Sequence, residues 1–497
     1  MATTSLLYRI SNELGFTALF NSSKDVQILL TTRFIRMFAY GSSTLILALY
    51  FASLGHSDTK IGLFMTLTLV GDVLISLALT LVADTLGRCR ILLLGAALMI
   101  FSGIIFATFS NYWFLLFAAI VGVISPSGNE IGPFRAVEES TLAHLSEAKT
   151  RSDIFALYVV AGTLGAASGS LGAGWATQSV QSQGWSEIGS YRLVFWIYAM
   201  IGAVKAGLTL LLSKKCEAER PEPVPEVNVE RRQQRGNVEE EEQPFLEGDE
   251  EEEERRPLKP EPPNKPRWIQ LSRTSQITLA KLCSLFFFDS LASGMVPASM
   301  IAYYVSRKFG IEEGTLGTIM ASAQFVSSMG NMLASLVAKR IGLVRTMVFT
   351  HLPSAIFLAL LPAPSSLLMT IVILVARSSL ASMDQAPRSA FLSAVVLPEE
   401  RTAVMGVVNT IKTMSQSSGP LITGILAQDS RFWIAFVVAG ALKASYDLAM
   451  LSMFAGTKLE GDRASAMPTS AGHHESATEQ SDEPAQHEDV TDDASRR

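Results

Sequence analysis

The sequence has little charge and almost no cysteine. Only 17% of its 497 residues are Asp, Glu, Lys or Arg, against about 25% in a soluble globular protein, which argues against a soluble enzyme. Its 3 cysteines, Cys89, Cys216 and Cys283, lie far apart with no C-x-x-C spacing and no neighbouring histidine pair. They give neither a disulfide framework nor a zinc site. The 6 histidines are as scattered, and His473–His474 stands in a polar tail. No G-x-x-x-x-G-K followed by Ser or Thr occurs, which disfavours an ATP-driven pump. The first 25 residues are too polar for the apolar core of a secretory signal. No cofactor, metal or nucleic-acid partner is indicated.

What is present is a series of apolar runs long enough to cross a bilayer as helices. They fall near 29–54, 61–83, 91–110, 112–134, 154–177, 191–213, 277–304, 314–338, 344–362, 366–392, 402–427 and 432–454. Twelve such runs joined by short polar loops predict an all-α integral membrane protein, rather than the buried helices of a large soluble one. Loops on the side of the termini hold Lys24, Arg88, Arg90, Lys149, Arg151, Lys339, Arg340, Arg345 and Arg401, against Lys60, Arg192, Arg307, Lys308 and Arg431 opposite. The positive-inside rule then predicts cytoplasmic termini.

The net charge of −6 is unevenly spread. Residues 214–267 hold 17 acidic against 11 basic residues and residues 455–497 hold 10 against 4, leaving the remainder at +6. The first of these segments also has nine prolines between Pro221 and Pro266, with acidic runs at Glu239–Glu242 and Glu250–Glu254. Such composition cannot bury enough apolar surface to fold. The expected organisation is a cytoplasmic N-terminal segment (1–28), a six-helix bundle (29–213), a disordered acidic linker (214–276), a second six-helix bundle (277–454) and a disordered acidic tail (455–497). Residues 5–22 are readable either as a helix on the inner membrane surface or as an unstructured leader.

The halves repeat. Gly55, Gly62, Ala83, Gly87 and Arg90 recur 255 residues on as Gly310, Gly317, Ala338, Gly342 and Arg345. Arg151, Gly169 and Gly174 recur 250 residues on as Arg401, Gly419 and Gly424. The sixth span reads Phe195-Trp196-Ile197 then Gly202 to Ala206, and the twelfth reads Phe432-Trp433-Ile434 then Gly440 to Ala444, with Lys205 and Lys443 matched. Six spans per half imply a parallel repeat about an axis along the membrane normal, with two bundles facing one cleft.

With those features the chain resembles the major facilitator superfamily. Ala83-Asp84-Thr85-Leu86-Gly87-Arg88-Cys89-Arg90 is similar to that family's loop signature, G-x-L-A-D-R-x-G-R followed by two basic residues; Thr80, Thr85 and Cys89 depart from it. Asp84, Gly87, Arg88 and Arg90 remain, either as a latch for one conformation or as anchors of helix ends. In the second half Lys339 replaces the acid. The family's fourth-span arginine is missing near Val123, whereas Arg377 stands at the equivalent depth of the tenth span. The glycine-proline pattern of antiporter fifth spans is loosely echoed by Gly165, Gly169, Gly172 and Gly174, with Gly419-Pro420 in the eleventh span; close helix packing is the favoured explanation for these small residues.

At about 1.5 Å per helical residue, Asp72, Asp289, Arg377, Lys412 and Lys443 fall roughly 16–20 Å deep in a core about 30 Å thick. Intramembrane charges are costly and mark function. Lys205 and Lys443 suit structural or snorkelling roles, because the resemblance puts their spans at the bundle periphery. Asp72 and Asp289 have no acidic counterpart in the other half; each can carry a proton or form a fixed salt bridge, for example to Lys412 or Arg377. Arg377 and Lys412 can hold an anionic group or act as counter-charges. Glu130, Pro133 and Arg135 in span four echo Asp384, Pro387 and Arg388 in span ten, readable as an inner gate, a bracing network or a proton site. Glu138 and Glu139, near the cytoplasmic surface, call for no special role. Asn331, Gln324, Asn409, Tyr303 and Tyr304 are further polar candidates.

These features predict a secondary active transporter of a small organic solute, proton-coupled, with export the preferred direction. The alternative is a non-transporting sensor, receptor or scaffold of the same fold. Its partners are the solute, protons and the lipid bilayer, with the acidic linker and tail open to cytoplasmic proteins. The membrane is either the plasma membrane or that of a vacuole-like organelle.

Overall fold

Without water in the bilayer core each span must close its own backbone hydrogen bonds, which leaves the helix as the spanning form for these runs. The computed structural model describes residues 19–217, 273–396 and 401–454, apart from 21, 123, 125, 127–132, 148 and 149. The leader up to residue 18, most of the expected linker, the tail and Glu130 lie outside the described residues.

The first half contains α1 (Lys24–Ser53), α2 (Asp58–Leu86), α3 (Arg88–Thr108), α4 (Tyr112–Gly122), α5 (Pro133–Leu145), α6 (Arg151–Gln181) and α7 (Glu187–Leu210), then a 3-10 turn at Lys214–Cys216. The second contains α8 (Arg273–Met295), α9 (Ala298–Phe309), α10 (Glu313–Ile341), α11 (Leu343–Leu360), α12 (Leu367–Ser382), α13 (Gln385–Val395), α14 (Arg401–Gln428) and α15 (Phe432–Phe454). Taking α4 with α5, α8 with α9 and α12 with α13 as interrupted spans gives twelve. Eight described helices are long and apolar enough to cross a membrane on those grounds alone.

Several boundaries differ from the expected ones. α1 and α8 begin at Lys24 and Arg273, before the apolar runs, because a helix continues past the hydrocarbon edge into polar sequence that a hydropathy reading leaves out. The expected seventh and tenth spans are each interrupted about two thirds of the way along, at 296–297 and 383–384. Pro297 sits in extended conformation at the start of α9, and Asp384 precedes α13. Irregular backbone at this depth survives where protein covers it; the Ser299 hydroxyl of α9 donates to the Pro126 carbonyl at 2.7 Å, so the breaks of spans four and seven support one another.

Close helix approach builds both bundles in the same way. A Cβ on Gly41 of α1 would lie 2.0 Å from the Ala166 carbonyl oxygen of α6, and a Cβ on Gly294 of α8 would lie 1.9 Å from that of Gln416 in α14. Gly87 and Gly342, paired by the repeat, turn the chain between helices at φ +91° and +86°, a region that side chains with a Cβ avoid. Outward-facing positions are apolar: Leu74 is 63%, Trp113 66% and Leu368 71% exposed, as expected of a surface solvated by lipid.

Candidate functional site

Helices from both bundles enclose a cavity of about 560 Å³. Its polar lining comes from Arg33 and Thr44 on α1, Arg135 on α5, Thr163 on α6, Gln324 and Ser327 on α10, Arg377, Ser378 and Ser382 on α12, and Gln385 on α13. Three arginines thus face the cavity, and no carboxylate is among the described lining residues. The Arg33 guanidinium stacks 4.6 Å from the Tyr158 ring centre. Arg135, its side chain 46% exposed, bonds Glu139 at 2.7 Å. Arg377 has its Nε buried without a hydrogen-bond partner among the described residues.

Beside the cavity the first bundle holds a buried ion pair. Arg36 of α1 approaches Glu138 of α5 at 2.5 Å, each side chain 1% exposed. The Tyr158 hydroxyl of α6 donates to the same carboxylate oxygen at 2.8 Å. Glu138 is therefore not the solvated surface acid that its sequence position suggests: α5 dips into the bundle and presents it to α1 and α6, while Glu139 faces outward to Arg135. Lys205 is buried, 5.8 Å from the Phe134 ring centre, with no hydrogen-bond partner for its Nζ among the described residues. Asp72 is 3% exposed and its Oδ1 likewise has no partner.

The second bundle holds a larger network. Asp289 of α8 receives Lys443 Nζ of α15 at 2.7 Å on one oxygen and Arg388 of α13 at 2.7 Å on the other. Arg388 also pairs with Asp384, and Lys443 with the Ser293 hydroxyl at 2.8 Å. His351 of α11 places Nδ1 2.9 Å from Asp447 and Nε2 3.8 Å from Asp289. The cluster thus gathers three carboxylates, a lysine, an arginine and an imidazole. Lys412 stands over the Phe286 ring, 5.3 Å from its centre.

The sequence-derived candidates are thus redistributed. Asp289, Asp384 and Arg388 belong to one cluster, and the partners of Asp289 are Lys443 and Arg388 rather than Lys412 or Arg377. Neither lysine of the repeat snorkels: Lys205 is held inside and Lys443 bonds the network, because their spans turn these positions toward the bundle interior. Arg135 and Arg388 each pair within their own bundle, so no arginine of the two echoed motifs bonds an acid across the interface among the described residues. Arg36, His351 and Asp447 are not among the sequence-derived candidates, and Glu138 reads from sequence as a surface acid without a special role. Asp447 stands one turn after Lys443, a spacing that marks a shared helix face, and His351 is an ionisable group inside an apolar span.

In the loop signature the Asp84 side chain lies outside the described residues. Instead, Glu217, just after the 3-10 turn, accepts from the backbone N–H of Arg88 at 2.7 Å and of Cys89 at 3.2 Å. A carboxylate at a helix N-terminus satisfies open donors and complements the helix dipole.

Between bundles, the contacts gather toward the face opposite the termini. Asp58 at the start of α2 accepts from Tyr303 at 2.8 Å and from Arg307 at 2.6 Å. Glu313 at the start of α10 accepts from Tyr191 at 2.8 Å and from Gln181 at 3.1 Å, and Gln178 bonds Glu312. Cβ atoms on Gly62 and Gly317 would lie 2.9 Å from Gly424 Cα and 3.1 Å from Gly174 Cα, so α2 abuts α14 as α10 abuts α6. No bundle-to-bundle hydrogen bond among the described residues lies nearer the terminal face than Thr163–Ser328, at 3.0 Å.

Comparison with known proteins agrees with this architecture. The sequence model of the Major Facilitator Superfamily matches residues 29–298 and again 282–466. An uncharacterized membrane protein of Saccharomyces cerevisiae is 35% identical over 438 residues, 88% of this chain and 95% of the relative. Among solved structures, the nucleoside transporter NupG superposes with a TM-score of 0.62 at 13% identity, covering 88% of this chain and 100% of that one. The xylose transporter XylE from E. coli, in an inward open conformation, gives 0.63 at 12%, covering 88% and 99%. A bacterial homolog of the human lysosomal transporter Spinster gives 0.62 at 14%, covering 86% and 98%. These structural likenesses show the fold, and the matched residues span most of the chain: it belongs to the Major Facilitator Superfamily, a twelve-helix membrane transporter rather than an enzyme.

Proposed function

We propose that the protein moves a small organic solute through the cavity between its bundles by alternating access, driven by protons, with Asp72 as the proton carrier. The observation that carries this reading is the contrast between the two deep acids. Asp289 is held by two cations, so binding a proton there breaks an ion pair. Asp72 is as buried, yet its Oδ1 has no partner among the described residues, so a proton can bind and leave without dismantling other contacts. Rocking of the bundles about the α2–α14 and α6–α10 contacts then exposes the cavity to each face in turn. The excess of basic residues in the loops on the terminal side supports cytoplasmic termini, with the acidic linker and tail on the same side and open to protein partners.

The test is solute flux into proteoliposomes under an imposed pH gradient, using solutes that stabilise the purified protein. Asp72→Asn should keep solute exchange and lose gradient-driven accumulation, and the sign of the wild-type response reads import or export. Accumulation that survives in Asp72→Asn removes this acid as the carrier. Absence of any flux from wild-type protein, despite solute binding, favours a sensor or receptor.

A further inference from the structure

We infer that the cavity selects a small organic anion, whose carboxylate or phosphate is gripped between Arg377 of the second bundle and Arg33 of the first. This assignment rests on the transport reading and names the class of solute.

Among the described residues the cavity wall is charged with one sign. Three of its described residues are arginines and none is an acid. Arg135 meets Glu139 at the exposed edge, and Arg33 and Arg377 line the cavity from the two bundles. Arg33 Cζ lies over the Tyr158 ring, 4.6 Å from its centre. Arg377 has no ion pair among the described residues and a buried Nε without a partner; its carbonyl, not its side chain, accepts from Ser354 at 3.0 Å. A buried guanidinium nitrogen without a counter-charge is costly, and an arriving anion relieves that cost. The guanidinium fork matches a carboxylate or phosphate with paired hydrogen bonds. Gln324, Ser327 and Ser378 add neutral hydrogen-bonding groups for the rest of the molecule, and about 560 Å³ suits a metabolite-sized ligand. Because the arginines come from opposite bundles, an anion touching both ties the bundles together through the solute, as alternating access requires.

The experiment is thermal unfolding of the full chain in detergent with succinate, glycerol 3-phosphate, glucose, putrescine or short-chain phosphatidic acid. A soluble anion should raise Tm, whereas glucose and putrescine should not. Arg377→Gln and Arg33→Gln should each raise the half-maximal anion concentration by about tenfold or more, in line with losing a charge-assisted pair, while Arg377→Lys should keep part of the response. Size-exclusion profiles and ligand-free Tm values near wild type in these variants guard against misfolding. The assignment is overturned if no soluble anion shifts Tm, if glucose or putrescine shifts it as much, if phosphatidic acid alone does so, or if Arg377→Gln responds as wild type. Binding in detergent needs no gradient, so a failure here is separable from a failure of proton coupling in the flux assay.

Discussion

Arg36 and Glu138 meet at 2.5 Å with both side chains 1% exposed, and Tyr158 closes the carboxylate. Ion pairs removed from water gain little net stability over an apolar replacement, yet losing one partner strands the other at a cost of about 3–5 kcal/mol. Arg36→Met alone and Glu138→Gln alone should therefore each lower Tm strongly, while the double variant should melt above both singles. Thermal unfolding of the four proteins checks this, and simple addition of the two losses would show that the groups do not depend on each other. The polarity is reversed in the other half, where the acid of the corresponding pair, Asp289, lies on the bundle's first span and the base, Arg388, on its fourth. Arg388 stands 250 residues beyond Glu138, the offset that pairs the fifth and eleventh spans. The two bundles thus share a fold and a bracing position, with opposite charges at each end.

At the scale of elements, the piece that the sequence assigned to the linker is in part structural. The 3-10 turn at Lys214–Cys216 and Glu217 fold back beneath the first bundle: Asp25 accepts from the Ser213 backbone N–H at 2.9 Å, and Glu217 caps α3. Glu217→Gln should cost about 1 kcal/mol, the scale of a lost helix cap. A chemical readout is at hand, because burial, followed by the Asp25 and Cys89 charges, pushes the Cys216 thiol up to about 12. The reactive thiolate is then scarce at neutral pH, and alkylation in a Cys283→Ser background, with Cys216 followed by mass spectrometry, should rise about tenfold per pH unit below that value. Glu217→Gln should raise the rate at fixed pH by releasing the turn; an unchanged rate would mean that the cap does not hold it. Hydropathy made the spans legible because each crosses an apolar medium. It hid the interruption at Pro297, which protein contacts cover without a polar stretch in the sequence, and the one at Asp384, where Arg377, Ser378, Ser379 and Ser382 stand in a run that stays apolar on average. The deep charges were legible one by one, but their pairing was not, since Asp289, Arg388, Lys443 and His351 come from four different spans and only the packing of those spans brings them together.

Across the whole molecule the repeat is both the most legible feature and the one with the clearest mechanical meaning. Gly62 and Gly317 match in sequence, and each lies against the other bundle's matched glycine, Gly424 or Gly174. These two contacts, with Asp58 and Glu313 bonding across the interface nearby, close the face opposite the termini. The glycines therefore act at the contact that must part when the cavity opens to that face, and adding bulk should bias the protein toward parting. A Cβ on Gly424 would lie 2.6 Å from the Asp58 carbonyl oxygen, and one on Gly174 would lie 2.3 Å from that of Glu313, both backbone atoms with little room to retreat. Gly424→Leu and Gly174→Leu should thus shift the population toward the state open opposite the termini. Gln324→Cys in a chain with its three native cysteines replaced reports the shift: a membrane-impermeant maleimide should label this cavity position faster from the face opposite the termini, and slower from the terminal face, once leucine is added. Equal labelling with and without leucine would mean that the glycine contacts are passive packing, and that closure rests on the polar contacts of Asp58 and Glu313 instead.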